Sequence, residues 1–557
     1  MERSKNSQTP NWLGDYQIDF GPKNHNLTSE SSPLSYFNLI FPENLMDNIR
    51  KWTNQRASKF IDNRSRTILK MKKWFPMKLD EFKGFLGCLI TMGLIKKPSI
   101  KSYWESGSSL FSCDGIAILF SKTRFQDIYS NICFRNMNQE PSPGNEKMYK
   151  INPLVDCILE NSQKYYVPGK HISIDEAMIA FRGRHSLIQF MPLKPIRYGF
   201  KAFLLCEARS GYVLRWKLFT GGPQDVGDDY GFTYKLVRDL CSDYIGKNHI
   251  IFMDRYYTGL QLLNDLKKLG IGACGTIKKN RCKLPEEIAN RISSLQINET
   301  LSFKYGNLLL NCWKDSKIVM LCSNCYGNKK IESTRKKTRK NIKMEERKTS
   351  EERKADEEES NQEHNIGSHE ETVDIYETVN MPIAIKEYNT YMKGVDLFDQ
   401  KASNYNLNLK SYRWYLKIFF HFIEIAMVNS FVLYSKSCER DNVTPMSHMK
   451  FRMEIIRELV QGLREELGVK NTKEKQKFIG KRKPSSELIN DSIKCCKLSK
   501  IPEQPLRVTA RFRCGEHQNP EGQSTNRVSQ TSFWCEMCKI PLCKKIVLKN
   551  ILKIRIM

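Results

Sequence analysis

His171-Ile172-Ser173-Ile174-Asp175 is a short apolar run closed by a carboxylate, and two runs of the same kind follow it, Phe200-Lys201-Ala202-Phe203-Leu204-Leu205-Cys206 and Gly211-Tyr212-Val213-Leu214-Arg215-Trp216-Lys217-Leu218-Phe219. A helical stretch around Tyr234 to Cys241 separates them from His249-Ile250-Ile251-Phe252-Met253-Asp254. A second helical stretch and Gly272-Ala273-Cys274-Gly275-Thr276 come next. Apolar runs of this length bounded by turn residues read as strands. Strands followed by alternating helix and strand predict a mixed sheet covered by helices, so the region from Tyr165 to Thr276 is predicted to be an α/β domain.

The flanks have different patterns. From Leu34 to about Asn136 the apolar spacing is helical. Asp80-Glu81 begin one helix, where acidic side chains suit the N-terminal dipole, and Lys96-Lys97-Pro98 end it. Helical patterns return at Tyr412–Tyr434 and Met446–Leu467. Residues 1–33 are polar and are expected to lack order. Residues 327–375 run from a basic block (Arg335 to Lys340) to an acidic one (Asp356 to Glu359) without apolar periodicity, which predicts an exposed insertion.

Of the 557 residues, 90 are Lys or Arg and 61 are Asp or Glu, a net charge of +29 that attracts polyanions. Residues 401–557 carry 30 of the bases against 14 acids, which makes the C-terminal part the first candidate for phosphate contact. The opening residues lack the basic-then-apolar pattern of a signal peptide, so the 18 cysteines read as thiols or metal ligands rather than disulfides. The most apolar stretch, Trp414 to Tyr434, is interrupted by Lys417, His421 and Glu424 on one helical face, as in an amphipathic core helix, and no membrane span is expected. The run Lys473 to Lys483 reads equally as a nuclear import signal, a DNA-contacting linker or a solvated linker.

Chemistry is most plausible at the acidic strand ends. Asp175 and Asp254 each close an apolar strand, where a partly desolvated carboxylate costs free energy unless it is paired or holds a cation. Asp396 and Asp399, three apart in Gly394-Val395-Asp396-Leu397-Phe398-Asp399-Gln400, share a face if that segment is helical. Singly, each reads as well as a capping or ion-paired residue. Several acidic ligands gathered by the fold would hold two hard divalent cations.

Three segments carry a family resemblance. Ser173-Ile174-Asp175-Glu176-Ala177-Met178-Ile179-Ala180-Phe181-Arg182-Gly183-Arg184 with Pro192-Leu193-Lys194-Pro195, then Met253-Asp254-Arg255-Tyr256-Tyr257-Thr258-Gly259, then Tyr388-Asn389-Thr390-Tyr391-Met392-Lys393-Gly394-Val395-Asp396 resemble, in order, the three catalytic segments of piggyBac transposases. Further matches are Gly93 to Ile100 with Tyr103-Trp104, and Arg413-Trp414.

The resemblance implies a multidomain α/β protein with an RNase H-like catalytic core, an insertion, a split helical DNA-binding domain and a small Cys-rich zinc-binding tail. Mapped on this chain, helical parts at 34–165 and 401–470 flank core parts at 166–290 and 381–400. The insertion covers 291–380, a basic linker 471–507 and the Cys-rich region 508–545. Asp175, Asp254 and Asp396 would hold two Mg²⁺, with Asp399 an additional essential carboxylate. The implied reaction is nicking of element ends, hairpin formation and joining to TTAA targets, by a nuclear homodimer bound to double-stranded terminal inverted repeats. Arg182, Arg184, Lys194, Arg197 and Lys201, with Arg413, are the candidate DNA-contacting cations.

In the tail, Cys514/His517 and Cys535/Cys538, with Cys543, have the two-residue gaps that grip tetrahedral Zn²⁺. One zinc is expected. The second site of the family's cross-braced module would need Cys or His beyond Cys543, and none follows. Two departures bear on activity: Arg255 stands where the family usually has Asn, placing a cation beside a proposed Mg²⁺ ligand, and Lys393 replaces a glycine. Neither removes a carboxylate; the Arg255 change and the curtailed zinc tail favour the alternative reading, a domesticated derivative that binds DNA or chromatin without transposing.

Overall fold

The computed structural model describes residues 2–3, 19–63, 74–105, 113–140, 147–192, 194–221, 230–282, 284–336, 376–407 and 409–469 of one compact unit. Of a second unit, residues 470–557, it describes five short strands between Leu498 and Leu542. Among them Leu498–Lys500 pairs with Phe533–Cys535, which pairs with Pro541–Leu542. Cys514, His517, Cys538 and Cys543, and the side chain of Cys535, lie outside the described residues.

In chain order the first unit begins with two-residue strands β1 (Glu2–Arg3) and β2 (Gly21–Pro22). Helices α1 (Pro33–Ile40), α2 (Glu43–Asn63), α3 (Leu79–Leu94), α4 (Asp114–Leu119), α5 (Lys122–Asn131) and α6 (Asn152–Lys164) follow. The N-terminal polar segment, expected to lack order, is packed from residue 19 onward. Hydrogen bonds tie it to distant elements: Asn24, at φ 58°, donates from its side chain to the Lys164 carbonyl at 2.7 Å, and the Ser29 backbone N–H donates to the Asp441 carboxylate at 2.7 Å.

After β3 (Tyr166–Val167) come β4 (His171–Ala180), β5 (Ile188–Phe190), β6 (Tyr198–Glu207), β7 (Val213–Leu218), α7 (Phe232–Leu240), β8 (Ile250–Met253), α8 (Leu260–Lys268), β9 (Gly272–Thr276) and α9 (Glu286–Ser293). β4 pairs antiparallel with β6 and parallel with β8, which pairs parallel with β9. This is the mixed sheet predicted from the alternation of apolar runs. The segment expected as an insertion does more than protrude. Its strands β10 (Thr300–Tyr305), β11 (Leu308–Lys314) and β12 (Ile318–Ser323) form a meander that joins the same sheet through β12 and β9. The charged stretch expected to be without structure from residue 327 includes β13 (Lys330–Lys336), paired with β14 (Tyr376–Pro382) from Lys330↔Pro382 to Lys336↔Tyr376. Cross-strand partners distant in sequence order a segment whose local pattern gives no signal.

Helices α10 (Ile383–Tyr391), α11 (Gly394–Ser403), α12 (Trp414–Arg440) and α13 (His448–Glu466) complete the unit. α12 is long and apolar enough to cross a membrane, yet 83% of its apolar window is buried inside the protein. Its buried Asn429 shows why: the amide oxygen accepts from the Val213 N–H at 2.8 Å, and the amide nitrogen donates to the Val213 carbonyl and Ser162, each at 2.9 Å. One side chain thus fixes α12 to β7 and α6. Helices from the two ends of the unit pack directly, because Gly84 and Gly87 of α3 leave room for α13. A Cβ on Gly84 would come 2.5 Å from Leu463, and one on Gly87 2.7 Å from Val460.

Candidate active site

Register places the first two carboxylates. Ile174 of β4 lies opposite Met253 of β8 in parallel pairing, so Asp175 and Asp254, the next residue on each chain, leave neighbouring strands side by side. Here the chain connections depart in opposite directions, β4 toward β6 and β8 toward β9, which opens a crevice at the strand ends. Asp254 is held by its own turn: its carboxylate accepts from the Tyr256 N–H at 2.6 Å, and its carbonyl accepts from the Thr258 hydroxyl at 2.8 Å. The Arg281 guanidinium donates to the carbonyls of Tyr256 and Thr258, both at 2.9 Å, and clamps that turn.

α11 brings the other two. It lies on β4 because Gly394 has no side chain: a Cβ there would come 2.3 Å from the Ser173 hydroxyl and 3.0 Å from the Glu207 carbonyl. Asp396 is exposed in the first turn of α11, and Asp399, one turn on, borders a cavity of about 300 Å³ together with Glu176, Lys194, Lys417 and His421. Among the described residues no three His, Cys, Asp or Glu side chains stand in a ready-made metal-binding group. The fold therefore brings Asp175 and Asp254 to adjacent strand ends and sets the α11 pair beside them, without closing a cage.

The carboxylates perturb one another. Burial, then contact with the Glu176 carboxyl, pushes Asp175 up to about 8, against the Glu176 N–H that donates to it at 2.8 Å. Burial also raises Glu176, but hydrogen bonds from Asp175 and Lys201 outweigh it and hold this carboxyl below its ordinary value. Burial raises Asp254, reinforced by the charge of Glu176, while Arg255 opposes. Asp399 is exposed at the surface, yet protein packed around its carboxyl, and then Asp396, push it up to about 6, with Lys194 opposing. Burial is the first cause of the rise at Asp175, Asp254 and Asp399, and carboxyls kept from water in this way are ones a cation would stabilise.

The expected DNA-contacting cations divide into two groups. Arg182, Arg184 and Arg197 are exposed, and Lys194 is half-buried at the cavity. Lys201 is buried, 2.9 Å from Glu176, with its ammonium over the rings of Phe203 and Tyr256 at 4.8 and 4.5 Å. The Arg413 guanidinium donates to the carbonyls of Tyr129 and Ser130 at the end of α5. Lys201 is thus committed to the interior, and the half-buried Arg413 to the helix end of α5. Arg255 is exposed and lines a separate cavity with Lys278 and Lys279.

Comparison with known proteins places this geometry. The family described as Transposase IS4 matches residues 32–431, and human PiggyBac transposable element-derived protein 3 is 24% identical over 454 residues, 78% of this chain and 66% of that protein. The chain belongs to this transposase family, in its piggyBac branch. A second piggyBac-derived human protein, number 2, is 25% identical over 458 residues, 78% of this chain and 68% of its own. The fold matches a piggyBac transposase solved by cryo-EM as a synaptic complex with hairpin DNA, with a TM-score of 0.63 and 20% identity over 95% of this chain and 98% of that one. The chain spans just under two thirds of the first of these human relatives.

Two residues of this candidate site carry no signal of their own in the sequence. Glu176 follows Asp175 on a strand, where alternation assigns the two to opposite faces, yet both carboxyls meet. Arg281 lies 27 positions after Asp254, in a basic stretch where nothing distinguishes it from Lys278 or Lys279. Only its three-carbonyl contact does.

Proposed function

We propose that this piggyBac-family chain is a DNA transposase that nicks element ends, forms hairpins and joins the ends to TTAA targets. The observation that carries the proposal is the emergence of Asp175 and Asp254 from adjacent parallel strands, with α11 laid on β4 by the close approach of Gly394 to Ser173. The strand order β7-β6-β4-β8-β9, antiparallel and then parallel, supports an RNase H-like core. Contact of α1 and α3 with α12 and α13 supports a helical domain assembled from both sides of that core. The DNA in the solved relative supports nucleic acid as the substrate.

Mg²⁺ fits the donor set: Asp175, Asp254 and Asp396 would hold it through hard carboxylate oxygens, with Asp399 an additional carboxylate one turn along α11, and a bound cation would offset the burial that raises Asp175 and Asp254. When bound, such ions align an attacking water and stabilise a leaving 3′ oxygen. The chain's own part is to hold Asp254 rigid through the Arg281 clamp and to keep Glu176 ionised against Lys201. Exposed Arg182, Arg184 and Arg197 meet DNA phosphates. Homodimerisation, nuclear localisation and zinc binding by Cys514, His517, Cys535, Cys538 and Cys543 complete the proposal.

A second reading, a domesticated derivative that binds DNA or chromatin without transposing, is favoured by the similarity to human piggyBac-derived proteins and by Arg255 beside Asp254. The experiment is Mg²⁺-dependent nicking of a labelled duplex carrying the element's terminal repeats beside TTAA. Cleavage by the parent and none by Asp254→Asn is the expected result; binding without cleavage by either protein moves the assignment to the second reading.

A further inference from the structure

The tip of the β5–β6 hairpin carries two large rings that the fold does not use. Phe190 and Tyr198 are cross-strand partners, their centroids 4.7 Å apart at 32°, and they remain 54% and 50% exposed. Ile196, between them in the chain, is 36% exposed and lines the cavity that also holds Glu176 and Asp399. The rings touch each other and leave outward faces open, so core packing does not account for them.

Their surroundings are cationic. The turn after β4 meets this tip where the Phe181 N–H donates to the Tyr198 carbonyl at 3.3 Å, which sets Arg182 and Arg184 beside it; Arg197 precedes Tyr198. All three arginines are exposed, and none makes an ion pair among the described residues. Ala180 of β4 pairs with Gly199, next to Tyr198. Five residues of strand separate Ala180 from Asp175, roughly 16 Å at about 3.3 Å per residue. That is about five nucleotides of a strand rising about 3.4 Å per nucleotide.

From these observations the geometry points to Phe190 and Tyr198 as a stacking platform for an unpaired base of the DNA strand that enters the carboxylate crevice, with Arg182, Arg184 and Arg197 holding its phosphates. The inference rests on the DNA reading above. Charge complementarity selects a polyanion, and the open ring faces select an unpaired base, because bases within a duplex stack on one another and show only their edges. Stacking tolerates any base, so the platform adds affinity without sequence preference.

The test uses the full chain and two probes: a blunt duplex, and the same duplex with a short single-stranded extension containing a fluorescent base analogue. The parent is expected to bind the extended probe about tenfold more tightly, within the range of base–aromatic stacking, and to quench the analogue. Phe190→Ala with Tyr198→Ala should bind both probes alike, at the parent's affinity for the blunt duplex. The ring-preserving exchange Phe190→Tyr with Tyr198→Phe should retain the gain. No gain for the extension in the parent, or a gain that survives loss of both rings, overturns the platform while the DNA reading stands. Failure of the parent to bind either probe overturns both. Dissociation of a dimer by the double alanine variant, with the extension gain intact, also overturns the platform and assigns the rings to a second copy of the chain.

Discussion

His249 sits one residue before β8 and is 1% exposed, and its Nδ1–H donates to the Gly169 carbonyl at 3.1 Å. Burial, opposed by that hydrogen bond, pushes it down to about 4, against 6.5 for an ordinary imidazole. The folded value is depressed, so the unfolded chain binds the extra proton first as pH falls. This ring's contribution to stability is whole above about pH 6.5 and declines toward pH 4, by about 1.4 kcal/mol per pH unit for one proton. Urea unfolding of parent and His249→Asn across that window should show a shallower pH slope for the variant, whose amide can replace the Nδ1–H donor. Parallel slopes would mean that His249 does not carry the linkage. The same link between burial and charge explains the carboxylates: Asp175 and Asp254 were legible as acidic strand ends, but their upward shift comes first from burial and then from neighbours such as Glu176, which only the fold supplies.

Between elements, the pairing that most constrains the helical layer is Glu424 of α12 with Arg452 of α13, 2.6 Å apart and both buried. Burial raises Glu424, and the Arg452 charge opposes it. Removing one partner strands the other charge in the interior, so Glu424→Ala should cost about 3–5 kcal/mol in urea unfolding. Replacing the pair by Glu424→Leu and Arg452→Met should recover most of that, because desolvation consumes much of a buried pair's Coulomb gain. A double variant as unstable as the single one would show that the pair contributes strong net attraction. The position of Glu424 on one face with Lys417 and His421 was readable from spacing; that this face borders the cavity beside Asp399 was not, because spacing orients a helix face without naming what it meets.

At the scale of the whole molecule, charge is the governing quantity. The segment 351–373 holds nine acidic and two basic residues in a chain of net charge +29. Its flanks are fixed side by side, since Lys336 of β13 pairs with Tyr376 of β14. Deleting 351–373 therefore leaves both strands, and on the proposed DNA-binding reading it removes a polyanion that would compete with DNA for the basic surface. The deletion should tighten binding of a blunt duplex at low salt, with the difference shrinking as salt screens both surfaces. Equal affinities at low salt would show that residues 351–373 do not mask the basic surface.

The amino-acid sequence by itself determined the succession of short buried strands, the helices on either side, the basic charge and the four candidate aspartates. Each of these follows from local periodicity or residue type, which the chain carries wherever it folds. Tertiary structure alone decided that Asp175 and Asp254 stand side by side, that Gly394 seats α11 on β4, and that Lys201 is buried and Arg413 tied to the end of α5 while Arg182, Arg184 and Arg197 face solvent. It also ordered residues 19–33 and joined β10–β12 to the central sheet. The reason is the same in every case: register, close approach and burial are relations between residues far apart in the chain, and no local pattern encodes them.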